Sequence, residues 1–224
     1  MGALIGQLLP VAIGIAISPV TIIAAILMLM SPKARETSLG FLLGIVGGVL
    51  TVSSVFAALS SVLPASGSGD GSWARALIQV VLGALLLFLA VKQWRGRPAP
   101  GEEASLPRWM RAIDRFSFGK ALGLGFLLGG VNPKNLLLGA SAGVTIGAAD
   151  LGWGASAATI VAYVLLAAST VLIPVLAHMF ASRQITPWLD LLRLWLTQHN
   201  GAIMATLFVV LGMNVLGKGI SGLF

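Results

Sequence analysis

The chain contains no cysteine. Disulfides, thiolate metal sites and thiol redox chemistry are therefore excluded. Charge is scarce as well. Only 9% of the 224 residues are Asp, Glu, Lys or Arg, against roughly 25% in an average soluble domain. The seven acids are Glu36, Asp70, Glu102, Glu103, Asp114, Asp150 and Asp190, and none falls in the middle of an apolar run. Paired carboxylates and carboxylate–histidine clusters are thus missing from those runs, which excludes divalent-metal and acid–base catalytic sets there. No Ser-His-Asp order or phosphate-cradling glycine loop is present. The sequence predicts neither an enzyme nor a cofactor or metal site. Lacking an ATP-binding motif, any transport would draw on a proton gradient or a partner.

Apolar residues dominate instead. They make up 57% of the chain, and the mean hydropathy is +0.97. Several apolar runs exceed the roughly 18 residues that signal a bilayer span. The predicted class is an all-α integral membrane protein with about six transmembrane helices. The net charge of +7 does not point to nucleic acid, because the basic residues gather in loops on one side of the spans. The N-terminal run lacks a basic leader and a small-residue cleavage site, so it reads as a retained first span. Met1-Gly2 lacks the context for myristoylation.

Six spans are expected: Ala3 to Met30, Leu39 to Leu63, Ala76 to Trp94, Lys120 to Ala149, Gly154 to Phe180, and Gly201 to Leu216. Residues 1–94 form a first three-helix repeat, 95–119 a polar linker, and 120–224 a second repeat. Pro174 is expected to kink the fifth span, and Asn200-Gly201 to break the chain before the sixth. Lys33, Arg35, Lys92, Arg95, Arg97, Arg108, Arg111, Arg115, Lys120, Arg183 and Arg193 fall on one face, against Arg75 and Lys218 on the other. The basic face is predicted to be cytoplasmic, which places both termini outside the cytoplasmic membrane.

Two connecting stretches look amphipathic. Between Leu106 and Phe116, Trp109, Met110, Ile113 and Phe116 share one side of a helix, while Arg108, Arg111 and Arg115 share the other. This suits a helix on the anionic cytoplasmic leaflet, or one packed under the bundle. The second stretch opens at Thr186-Pro187-Trp188, an N-cap followed by a first-turn proline. Trp188 joins the candidate lipid-surface residues Arg108, Trp109, Arg111 and Arg115.

The most informative feature is a pair of interruptions. Span 1 carries Ser18, Pro19 and Thr21, and span 4 carries Asn132, Pro133, Lys134 and Asn135. Each places a small polar residue and a proline well inside an apolar run. Proline removes a backbone donor and strands carbonyls one turn back. In lipid, stranded carbonyls persist only inside protein or beside a wet cavity. Spans 1 and 4 open two three-helix halves that would enter the membrane from opposite sides. In inverted-repeat transporters, such interruptions at matching positions mark the midplane binding site. Lys134 lies about 21 Å of helix beyond Lys120, too deep to snorkel easily. It has three open roles: a tether to backbone carbonyls, a ligand for an anionic headgroup, or a proton carrier. Ser53, Ser54, Gln79, Tyr163, Ser169, Thr170 and Asn214 are weaker candidates, because hydroxyls in such helices commonly bond their own backbone.

These residues resemble those of the LysE transporter superfamily. Within it, the chain is similar to the GAP family, the peptidoglycolipid addressing proteins related to the sulfolipid-addressing proteins of actinobacteria. The resemblance rests on LPVAIGIAISPVTIIAAILMLMSPKARETSLGFLLG, on GGVNPKNLLLGASAG, and on six spans with a basic central loop. It covers nearly the whole chain and implies two inverted three-helix halves. It also implies a role in moving glycolipids or their precursors toward the cell surface. The expected function is export or flipping of a lipid-linked anionic amphiphile. The expected partners are membrane lipids and that lipid-linked substrate, with a homodimer or a lipid-export complex as further options. The rivals are a proton-coupled exporter of amino acids or other small solutes, and a non-transporting scaffold for cell-envelope lipid assembly.

Overall fold

The computed structural model describes residues 2–62, 70–97, 113, 115–149 and 151–222. No strand occurs among these residues. Helix α1 (Gly2–Ala16) is followed by α2 (Pro19–Leu29), bent from it by 53°. Then come α3 (Ala34–Val62) and α4 (Asp70–Arg95). Helix α5 (Phe118–Phe126) runs into a π-helical turn (Leu127–Val131) and then α6 (Pro133–Gly147). Helix α7 (Trp153–Ala167) bends by 67° into α8 (Ser169–Ser221).

Helix α3 is the axis of the bundle and packs against α2, α5, the π turn, α6, α7 and α8. Its sequence explains this reach. A Cβ on Gly40 would meet the Phe118 carbonyl oxygen at 2.6 Å, and one on Gly48 would meet Gly130 N at 2.7 Å. The backbones touch where side chains would normally intervene, the small-residue packing used between membrane helices. Further along, Gly143 and Gly147 of α6 lie equally close to Ser53 and Ala57 of α3. Helix α4 packs chiefly on the C-terminal part of α8, where Gly83 meets Leu216 and Gly219 meets Val80.

The outside of the bundle is as apolar as the inside. Phe88, Ile173, Val210 and Met213 are all more than 60% exposed. A continuous apolar coat of this kind needs a hydrocarbon solvent rather than water. Among the described residues, Ala34–Ser61 and Thr186–Ser221 are each long and apolar enough to cross a bilayer. Up to four spans result if each bent pair counts as one.

Three expectations about the second half are corrected. The bend in the fifth run lies at Ala168, and Pro174 sits inside α8 instead of marking it. Helix α8 also runs through Thr186-Pro187, where a new helix was expected to start, and through Asn200-Gly201, where a break was expected. Gly201 serves packing there: a Cβ on it would meet the Arg97 Cβ at 2.9 Å. Of the stretch from Leu106 to Phe116, residues 106–112 and 114 lie outside the described residues, Arg108, Trp109 and Arg111 among them. Ile113 is 1% exposed and belongs to the core, so that position packs under the bundle. Arg115 and Trp188 are exposed.

Candidate functional site

The first interruption follows from Pro19. It opens α2 at a first-turn position, with Ser18 extended before it. Ser18 N–H turns back to the Ala16 carbonyl (2.9 Å) instead of reaching Gly14. Pro19 has no N–H to give Ile15. The last turn of α1 therefore ends on carbonyls without helical partners. Ser18 is buried, and its side chain makes no cap bond.

The second interruption has the same cause and a different repair. Asn132 N–H reaches back five residues to the Leu127 carbonyl (2.8 Å), which produces the π turn. Pro133 again has no N–H, so the Leu128 carbonyl loses its donor. The Asn135 side chain replaces it, donating from Nδ2 at 2.8 Å. Asn132 caps α6 by accepting the Lys134 N–H at its Oδ1 (3.1 Å).

Lys134 then joins the two. It is 2% exposed, and its Nζ donates to the Gly14 carbonyl at 2.8 Å. A longer contact of 3.5 Å reaches the Ile17 carbonyl. Gly14 is the carbonyl that Ser18 abandoned. The lysine of one broken helix thus satisfies the broken end of the other, across 120 residues of sequence. An ammonium carries three donors, and only one of them is well spent here.

A third interruption meets the same place. At the Ala168 bend between α7 and α8, Thr170 Oγ1 donates to the Ala16 carbonyl at 2.6 Å. The chain is therefore interrupted between α1 and α2, between α5 and α6, and between α7 and α8, and side chains from α6 and α8 close the polar end of α1. Two buried oxygens of the candidate set have no hydrogen-bond partner, Thr21 Oγ1 and Asn135 Oδ1. Buried polar atoms of this kind are rare and call for an explanation.

The structure joins the two interruptions through one ammonium, with Ser18, Pro19, Thr21, Lys134 and Asn135 buried, Asn132 half-buried and Pro133 exposed. It does not bring Arg115 or Trp188 to them; both lie on the exterior. Thr170 was only one hydroxyl among several in the sequence. The acceptors Gly14 and Ala16 carry no side-chain signal at all. Among the described residues, no group of His, Asp and Glu could hold a metal ion.

The fold and site define a helical membrane protein whose broken helices converge on a buried lysine. The family model for Sap, sulfolipid-1-addressing protein, matches residues 8–221, and the chain belongs to that family. No curated protein and no solved structure matches the chain.

Proposed function

We propose that this protein carries a lipid-linked anionic amphiphile across the cytoplasmic membrane, working as a secondary transporter built from two inverted three-helix halves. The observation that carries the reading is the Lys134–Gly14 bond. It crosses from residues 120–224 to residues 1–94, as does the Thr170–Ala16 bond. The seam between the proposed halves is thus closed at its polar centre by side chain-to-carbonyl contacts that a competing anion can replace. A sulfate or phosphate oxygen would draw the Lys134 ammonium off the Gly14 carbonyl. Rocking of one half against the other would then expose the site to either side. The sulfolipid in the family's name and the sequence resemblance to LysE-type exporters support this course. A free amino acid suits the site less, because a basic substrate would meet the Lys134 charge.

The Lys134–Gly14 bond equally favours a scaffold in which Lys134 is only a tether. Reconstituted vesicles separate the two. A fluorescent lipid with a sulfated headgroup should cross faster than its uncharged analogue, and Lys134→Met should slow it at least tenfold. A charge-assisted hydrogen bond of roughly 1.5–3 kcal/mol sets that scale. If wild type and Lys134→Met move neither lipid above empty vesicles, the transporter reading fails and the scaffold stands.

A further inference from the structure

A cavity lies away from the two interruptions. It offers about 620 Å³ between α1, α3, α4 and α6. Its walls come from Leu4 and Gln7 of α1, Phe56, Leu59 and Ser60 of α3, Gln79 and Leu82 of α4, and α6 from Ala140 to Thr145 with Ala148 and Ala149 just beyond its end. The α6 face opens it, because Ala140, Ser141 and Ala148 are too small to fill the gap. Along α6 the cavity begins about 9 Å beyond Lys134 and continues away from it.

Two properties of the lining select an occupant. It is mostly apolar with a few polar groups, and its volume falls within the roughly 300–1,000 Å³ usual for small-ligand sites. Among the described residues, its lining carries no ionisable side chain. An anionic headgroup placed there would be desolvated without a counter-charge. An uncharged hydrogen-bonding group finds partners. Gln7 and Gln79 bring amides that both donate and accept. Ser60 and Thr145 direct their protons to the Val144 and Ser141 carbonyls (3.2 and 2.8 Å), which leaves their oxygens as acceptors.

We propose that this cavity is a lipid site for an uncharged amphiphile, in which Gln7, Gln79, Ser141 and Thr145 hold a hydroxyl- or ester-bearing segment while Leu4, Phe56 and Leu82 hold its chain. The site is separate from the Lys134 interruption. It stands on its own lining whether or not Lys134 meets a headgroup.

The absence of cysteine makes a direct test simple. Ala149→Cys introduces a single thiol into the lining, and its alkylation by a maleimide is followed in nanodiscs. Monooleoylglycerol is the uncharged probe, and lysophosphatidic acid with the same chain is its charged match. Monooleoylglycerol should slow alkylation about tenfold, and lysophosphatidic acid less than twofold. Adding Ala148→Trp to fill the cavity should abolish the protection. Gln79→Leu, which adds no bulk, should weaken it severalfold if the tryptophan variant fails to fold. Equal protection by both lipids overturns the proposal, as does no protection by either, or protection that survives both substitutions. Protection alongside inactive vesicles would end the transport reading and leave this site standing.

Discussion

Two alanine substitutions three residues apart on α3 should differ in sign. A Cβ on Gly44 would lie 2.7 Å from Phe126 N and 2.9 Å from Gly125 Cα, and closer still to the Leu122 carbonyl oxygen. All three are backbone atoms of the facing helix and cannot rotate away. Reaching the 3.4 Å of ordinary contact would require α5 and the π turn to move bodily off α3. A Cβ on Gly47 would meet only Phe126 Cδ2, at 3.8 Å. Replacing glycine by alanine in a helix gains about 1 kcal/mol of propensity at either position, so that gain cancels between the two variants. What remains is overpacking at Gly44 alone, about 1–3 kcal/mol. Gly47→Ala should therefore match or exceed wild type in stability, and Gly44→Ala should fall below Gly47→Ala by that amount. Tryptophan fluorescence during denaturing-detergent titration, in a mild-detergent background, measures the midpoints. Equal midpoints, or Gly47→Ala below Gly44→Ala, would refute the close approach of α3 to α5.

Two further substitutions test how the interruptions are repaired. Asn135→Ala removes the donor to the Leu128 carbonyl, which has no helical donor left because of Pro133. The stranded acceptor should cost about 1–3 kcal/mol, and amide hydrogen exchange should rise at Asn132, whose N–H closes the π turn. Thr170→Val keeps the shape and removes the hydroxyl from the Ala16 carbonyl. That oxygen still accepts the Ser18 N–H at 2.9 Å, so the loss should be only about 1 kcal/mol. Thr170→Ser should restore it in the same titration, whereas a larger loss that serine fails to restore would mean the threonine acts through its methyl group.

The interruptions in spans 1 and 4 were legible because proline announces itself. It cannot donate, so the chain must break near Pro19 and Pro133 whatever surrounds them. The depth of Lys134 was legible for the same kind of reason, since few lysines stand so far from a span end. The partner of Lys134 was not legible. Every residue carries a carbonyl, and only the fold selects the one on Gly14. The bend at Ala168 left no mark either, because Ala167, Ala168 and Ser169 are ordinary helical residues. Pro174 is the conspicuous residue of that run, yet α8 accommodates it. Asn200-Gly201 misled in the opposite direction: a glycine serving close contact with Arg97 has the same spelling as one that ends a helix.

The closure of α1 by Lys134 and Thr170 bears on how the protein is made. Synthesis proceeds from the N-terminus, so α1 and α2 leave the ribosome long before residues 134 and 170 exist. Until then, the Gly14 carbonyl has no donor inside a hydrocarbon solvent that offers none. The end of α1 therefore gains its last side-chain donors only after α6 and α8 have been made. A chain truncated after α4 would lack both donors and leave the Gly14 carbonyl without a partner at the end of α1.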